Sequence, residues 1–80
     1  MPTVLRVGGY RFHFYSDEGV EPAHIHCRCE GKECKFWLEP VRLAGNRGIA
    51  PNRIREIERI VHLHHSLLVE KFHEHRSRQT

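Results

Sequence analysis

The apolar pattern of this 80-residue chain changes its period once, near residue 50. Before that point apolar and polar residues alternate in short runs, the period-two pattern of strands that bury one face. From Pro51 to about His75 the apolar residues recur every three to four positions, which is typical of one amphipathic helix. At about 36 Å this helix would be longer than a sheet of fifty residues can cover. The pattern therefore predicts strands followed by a single long helix.

The first run of strands predicts a β-hairpin over residues 3–7 and 10–15. Between them lie Gly8 and Gly9, a pair that suits a tight two-residue turn. The resulting register puts apolar side chains on one face and polar ones, His13 among them, on the other. The predicted partners are Val7 with Tyr10, Leu5 with Phe12, and Thr3 with Phe14.

Residues 24–29 and 34–38 predict a second hairpin around Gly31-Lys32. One register sorts every residue by polarity, whereas a slip by one residue would mix the two faces. The predicted partners are Glu30 with Glu33, Cys29 with Cys34, Cys27 with Phe36, and Ile25 with Leu38. This register puts all three thiols on the core side. It also places Cys29 opposite Cys34, where oxidation would form a cross-strand disulfide.

These elements predict an α+β fold and one domain over residues 1–80. A small antiparallel sheet of four to five strands (two hairpins, with a short fifth strand at 41–43) packs on one long C-terminal helix. We expect the sheet region to span residues 1–50, the helix 51–75 and a frayed tail 76–80. The last turns of the helix are expected to project, or to pack against a second copy in a homodimer.

The unusual feature of the composition is its eight histidines. Five fall on the predicted helix, where we interpret them as a solvated face plus one capped or core-rim imidazole at His64. The other three, His13, His24 and His26, share the polar face of the predicted sheet. Imidazoles two residues apart on a strand lie about 6.5–7 Å from each other. The three histidines therefore predict either a divalent metal site, with zinc the obvious ion, or a polar surface without a ligand.

The same polar face carries a group of basic and aromatic side chains, which are Arg6, Arg11, Arg28, Lys35 and Trp37. Basic sheet surfaces with an exposed aromatic ring hold single-stranded nucleic acid in several small folds. Residues 41–80 add eight basic and four acidic side chains, so this half carries a net charge of +4. The pattern predicts a nucleic-acid or partner surface, with an ordinary charged face as the alternative.

The chain has three cysteines, an odd number that does not suit a secreted disulfide scaffold. Its first residues have no apolar signal region, and no apolar run approaches the ~20 residues of a membrane span. We therefore expect a reduced, cytoplasmic location and no membrane. No nucleophile with a partnered base stands out, so we predict no catalytic residue, and the pattern favours a binding module over an enzyme.

Several motifs resemble those of one family. They are Met1-Pro2-Thr3-Val4-Leu5-Arg6-Val7-Gly8-Gly9-Tyr10-Arg11-Phe12, Pro22-Ala23-His24-Ile25-His26, Lys35-Phe36-Trp37-Leu38-Glu39-Pro40-Val41, Asn46-Arg47-Gly48 and Arg55-Glu56-Ile57. Together they are similar to domain of unknown function 4160, a family of small bacterial proteins. The resemblance carries the family's two histidines over to His24 and His26. The chain departs from the family pattern in its three cysteines and in Ala50, where a serine helix cap is expected.

The resemblance implies no assigned activity. Genes of this family often lie beside genes of the domain of unknown function 2442 family, and such pairs are suggested to be toxin–antitoxin-like. We therefore expect a cytoplasmic protein-interaction or regulatory module that binds the product of the adjacent gene through its projecting helix or a sheet edge. The alternatives are a histidine- or metal-dependent, nuclease-like enzyme and a nucleic-acid binder, both using the face that carries His13, His24 and His26.

Overall fold

The computed structural model describes residues 3–15 and 20–78. Within them the strands are β1 (Thr3–Val7), β2 (Tyr10–His13), β3 (His24–Cys29), β4 (Lys32–Leu38) and β5 (Val41–Arg47), and the helices are α1 (Pro51–Leu63) and α2 (His65–Ser77). The five strands form one antiparallel sheet in the order β1-β2-β3-β4-β5. The predicted α+β fold with its antiparallel sheet is confirmed. The sequence also predicts a polar loop at residues 16–23, and residues 16–19 of it lie outside the described residues.

The first hairpin keeps the predicted register near its turn and loses it near its open end. Val7 pairs with Tyr10 and Leu5 with Phe12, as predicted. A bulge between Thr3 and Leu5 then shifts β1, so that Thr3 pairs with His13 instead of Phe14. The predicted partner of Thr3 is wrong because the extra residue of the bulge displaces it along β2.

The second hairpin turns one residue earlier than predicted. Its turn is Glu30-Gly31, with φ of 52° and 78°. Positive φ at both central residues is what a type I′ turn requires. The register consequently differs from the predicted one by two residues, and Cys27, not Cys29, lies opposite Cys34. Because the slip is two residues, every side chain stays on its predicted face.

The fifth strand is longer than predicted. It pairs with β4 from Val41 to Arg47, across a Glu39-Pro40 turn with a cis peptide bond. Asn46 then closes the connection to α1, since its side chain accepts from the Ile49 N–H at 2.9 Å and donates to the Ile49 carbonyl at 2.8 Å. Pro51 occupies the first turn of α1, as predicted.

The single long helix predicted for residues 51–75 is wrong. Two helices of 13 residues each meet at His64, whose φ of −108° and ψ of 24° leave the helical region. Leu68 and Phe72 of α2 are fully buried. The bend lets α2 stay on the sheet instead of projecting past it, and the helix continues through Ser77 into the predicted frayed tail.

The core lies between the helices and one face of the sheet. Its fully buried side chains are Phe12, Phe14, Ile25, Phe36 and Leu38 from the sheet side, and Ile57, Val61, Leu68 and Phe72 from the helices. The interpretation of the helix histidines as merely solvated is wrong for two of them. His65 donates from Nε2 to the Leu38 carbonyl at 2.6 Å, and His75 donates from Nε2 to the Tyr15 carbonyl at 2.7 Å.

Across residues 3–15 and 20–78 no helix has the length and apolar character to span a membrane.

Candidate functional site on the open face of the sheet

The face of the sheet turned away from the helices, which we call the open face, carries a row of charged side chains across all five strands. Antiparallel partners lie opposite each other on one face. The partners are Arg6 with Arg11, Arg11 with Arg28, Arg28 with Glu33, and Glu33 with Arg47. These residues form what we call the arginine row. With neighbouring strands about 4.8 Å apart, the row spans about 19 Å.

A second row runs beside the first on β2 to β5, two residues away from it on each strand. His13 lies opposite His26, His26 opposite Lys35, and Lys35 opposite Gly45. We call these four residues the histidine row. Residues two apart on a strand are separated by about 6.5–7 Å, so the two rows lie within one side-chain length of each other.

Glu33 connects the two rows. Its carboxylate accepts from the Tyr15 hydroxyl at 2.5 Å and from Arg28 Nη2 at 3.2 Å. The Nε2 of His13 lies 3.6 Å from Oε1 of this carboxylate, and the Nδ1 of His26 lies 3.7 Å from Oε2. We call these five residues the Glu33 cluster.

The rings of the cluster pack on one another. The His13 and His26 imidazoles are stacked with centroids 5.6 Å apart, and Tyr15 meets both rings edge-on, at 5.1 Å and 4.6 Å. His13 is fully buried, while His26 keeps 8% of its surface exposed. His26 is therefore the imidazole of the pair that a ligand can reach.

The surroundings of two groups in the cluster shift their pKa values. Burial lowers the pKa of His13, and neither of its ring nitrogens has a hydrogen-bond partner among the described residues. The hydrogen bond to Glu33, reinforced by burial, raises the pKa of Tyr15, so the phenol keeps its proton at neutral pH. In such a cluster the protonated phenol can give a proton, and the neutral imidazole can accept one.

A cavity of about 430 Å³ opens at the end of the histidine row. Tyr15, His26 and Glu33 line it together with Arg47 of β5. It exists where Gly45, which has no side chain, lies opposite Lys35. A Cβ added at Gly45 would meet nothing within 4 Å. The cavity gives a small group access to Tyr15, His26 and Glu33 of the Glu33 cluster.

The three histidines predicted to bind metal are in contact but differ in their surroundings. His24 lies edge-on to His26 at 5.2 Å. Its Nδ1 donates to the Pro22 carbonyl at 2.8 Å, and its ring packs 5.2 Å from Phe72 of α2. Over residues 3–15 and 20–78 the structure has no group of three or more His, Cys, Asp or Glu side chains placed to hold a metal ion. The zinc site stays a prediction.

The five residues of the predicted nucleic-acid surface lie on the open face. The arginine row contains Arg6, Arg11 and Arg28, and Lys35 belongs to the histidine row. Trp37 lies next to Lys35, whose ammonium is 4.6 Å from the centre of the indole ring. Lys35 also donates a hydrogen bond to Glu21.

The sequence reasoning missed Tyr15, Glu33 and Arg47 as site residues. The predicted register placed Glu33 opposite Glu30, and two like charges directly opposite each other are unfavourable. The observed register places Glu33 opposite Arg28. Charge pairing across the hairpin was therefore the signal that identifies both the register and the cluster.

The cysteines belong to the core and not to the site. Cys27, Cys29 and Cys34 are free thiols, all buried. A hydrogen bond shared by Cys27 and Cys34 raises the pKa of Cys27 and lowers that of Cys34. The pairing predicted for Cys29 and Cys34 is wrong, because β4 enters the hairpin two residues earlier than predicted.

The fold and site define a class of small α+β protein. An antiparallel meander is covered by two helices on one face and presents cationic and acid–base side chains on the other. The family model described as Domain of unknown function (DUF4160) matches residues 9–73, well over half of the chain, and the chain belongs to this family. No curated protein and no solved structure matches the chain.

Proposed function

We propose that the protein binds single-stranded RNA on its open face and cleaves it there, as the effector of a toxin–antitoxin-like gene pair. The observation that carries this proposal is the arginine row lying beside the histidine row, with Glu33 joining them. The sequence alone favours an interaction module. The Glu33 cluster favours the nuclease-like alternative, because folding does not require acid–base groups to be assembled beside a cavity.

The arginine row suits a phosphate backbone. Its four arginines and single glutamate leave a net charge of +3 along one line. Each phosphate neutralised on a single strand contributes about −0.7 to the slope of log K against log salt. Three contacts therefore predict a slope of about −2. Tyr15 and Trp37 flank the histidine row and offer ring faces or edges for bases.

The proposed reaction needs no reagent beyond the RNA itself. His26 takes the proton from a ribose 2′-hydroxyl, whose oxygen forms a bond to the adjacent phosphorus. The bond from phosphorus to the 5′-oxygen breaks, and Tyr15 gives its proton to that leaving oxygen. The products are a 2′,3′-cyclic phosphate and a 5′-hydroxyl. Arg47 at the cavity stabilises the charge that develops on the phosphate oxygens.

A cleavage assay tests this proposal. Purified protein is incubated with a labelled single-stranded RNA in EDTA, and the products are analysed for 2′,3′-cyclic phosphate. DNA of the same sequence, which lacks the 2′-hydroxyl, is expected to stay intact. His26→Ala is expected to lower the rate by about 10²–10⁴-fold, the usual contribution of a positioned acid or base.

The matched control is His73→Ala, which removes an exposed histidine from α2. It is expected to cleave like the wild type. Intact RNA after incubation with the wild-type protein, or equal rates for His26→Ala and the wild type, would contradict the proposal. Cleavage that disappears with EDTA would instead support the metal-dependent alternative at His13, His24 and His26.

A second measurement tests RNA binding separately from RNA cleavage. Affinity for a 2′-O-methyl RNA, which cannot be cleaved by this route, is measured against salt. Arg28→Ala is expected to reduce the slope by about 0.7, and Arg59→Ala on the exposed side of α1 is expected to leave it unchanged.

The interaction role that the sequence favours is a second proposal, with its own observation. Six of the seven residues of β5 are exposed, and β5 is an edge of the sheet. Because α2 buries Leu68 and Phe72 in the core, we propose the edge of β5 as the interface in place of a projecting helix. A homodimer through the helices would use Leu63, which is 77% exposed.

The setting of the protein is part of the same proposal. The family resemblance supports a partner encoded by the adjacent gene of the domain of unknown function 2442 family. Three free thiols support a reduced, cytoplasmic compartment. Mass spectrometry of the proteins that co-purify with the native protein tests whether the product of the adjacent gene is its partner.

A further inference from the structure

The two edges of the sheet differ in how they are protected. β1 has five residues and a bulge, and Thr3 and Val4 share a cavity with Lys71 and His75 of α2. β5 has seven residues, and no strand of the described chain pairs with its outer edge. A long exposed edge strand presents unpaired N–H and C=O groups that another strand can use.

We propose that the outer edge of β5 docks an extended acidic segment of a partner protein as a sixth strand. This inference rests on the interaction role proposed above and names its surface and partner chemistry. Main-chain hydrogen bonds would supply affinity, and alternate side chains would supply specificity, as in other cases of strand addition.

The charge of β5 selects an acidic partner. Arg42 and Arg47 lie on the open face, opposite Trp37 and Glu33 of β4, and β5 contains no acidic residue. Arg47 has no ion-pair or hydrogen-bond partner in the described part of the chain. An acidic strand would place carboxylates beside both guanidinium groups, at the exposed edge of the sheet.

A second copy of the chain fits this edge poorly. Antiparallel pairing of two β5 strands would bring four arginines into one interface, where like charges oppose association. Leu43, 42% exposed on the opposite face to Arg42, offers an apolar contact for an alternate residue of the added strand.

The docked strand would also cover the cavity. Gly45 and Arg47 line the cavity and belong to β5. A carboxylate paired with Arg47 would remove the cation that the proposed reaction uses on the phosphate. The partner would thereby inhibit the site without touching His26.

The test uses two synthetic peptides of equal length and charge with the isotope-labelled full chain. One alternates glutamate with valine, and in the other two central valines are replaced by proline, which cannot donate to a ladder. The alternating peptide is expected to bind at least about tenfold more tightly and to slow amide exchange in β5. Arg42→Glu is expected to weaken its binding by a similar factor, while Arg59→Glu, on the exposed side of α1, leaves the binding unchanged.

Several results would overturn the inference. These are equal affinity for both peptides, slowed exchange in β1 instead of β5, no binding of either peptide, and unchanged affinity in Arg42→Glu. Dimerisation of the free chain through β5, seen by sedimentation, would assign the edge to a second copy. Because peptide binding is measured without RNA, absence of cleavage would remove the proposed activity and leave this docking surface standing.

Discussion

Both faces of the sheet contain fully buried side chains, but these are buried by different means. On the helix side, apolar side chains such as Phe36 and Leu38 are covered by α1 and α2. On the open face, His13 is as fully buried as any residue of the core, whereas His24, at the start of β3, is covered by Phe72 of α2. There, no described helix covers His13, and the ring of Tyr15 and the carboxylate of Glu33 pack against it.

This difference separates what the fold needs from what a site needs. Burial of apolar area stabilises a small domain, whereas burial of polar groups costs free energy unless they are paired. His13 has two buried ring nitrogens without a hydrogen bond among the described residues. A sheet selected for stability alone would carry an apolar residue there, which supports the proposal that the open face carries the site.

The largest effect is expected on the helix side. Phe72 is fully buried and packs against Phe14 and His24. Phe72→Ala removes these contacts and leaves a cavity, so it is expected to lower the free energy of unfolding by about 3–5 kcal/mol in chemical denaturation. Leu63→Ala, at an exposed position of α1, is the control and is expected to change it by less than about 0.5 kcal/mol. Similar losses of unfolding free energy in the two variants would contradict the assignment of Phe72 to the core and of Leu63 to the surface.

A smaller effect, on function and not stability, is expected at Gly45. Gly45→Val places a β-branched side chain where a Cβ meets no neighbour, so it fills the cavity without straining the strand. RNA affinity is expected to fall by at least about tenfold, which corresponds to about 1.4 kcal/mol, with the unfolding midpoint unchanged. Ala44→Val, the neighbouring exposed position of β5, should leave affinity intact. Equal affinities for both variants would show that the cavity is not the binding site.

The smallest effect is expected in the pH dependence of stability. Burial holds the pKa of His13 below its ordinary 6.5, against the opposing influence of Glu33 and with smaller lowering contributions from His26 and Arg11. Between the pKa of His13 in the folded protein and 6.5, the unfolded chain binds more protons than the folded chain. The contribution of a neutral, buried His13 to the free energy of unfolding is therefore fully present above about pH 6.5 and is lost as the pH falls below it. His13→Phe is expected to flatten that slope in denaturation curves. His73→Ala should not, and a slope unchanged in His13→Phe would show that His13 does not titrate differently on folding.

The sequence predicted the faces of the sheet better than its register. Alternation assigned Ile25, Cys27 and Phe36 to the core correctly, because a two-residue slip leaves every side chain on its face. The turn was misplaced because Glu30 adopts a positive φ, which glutamate rarely does. The misplaced turn pairs Glu33 with Glu30 in the predicted register, so the sequence pattern does not predict the Glu33 cluster.

The helix bend and the burial of the histidines were beyond the sequence pattern. His64 continues the apolar periodicity, and no glycine or proline marks a break there. The bend follows from the limited width of the sheet, which is a tertiary effect. Likewise, the chain at Tyr15, which joins His13 and His26, is held by a hydrogen bond from His75 of α2, a contact 60 residues apart in sequence.

The most direct test of the open face is Glu33→Gln, with RNA cleavage and the free energy of unfolding measured on the same preparation. The amide oxygen still accepts the Tyr15 hydrogen bond, but the charge that joins the two rows is gone. We expect cleavage to fall by at least about 10²-fold while stability changes by no more than about 1 kcal/mol. Two results would show that the Glu33 cluster only holds the sheet together. One is a large loss of stability in Glu33→Gln with unchanged cleavage, and the other is a large loss of stability when the wild type itself does not cleave RNA.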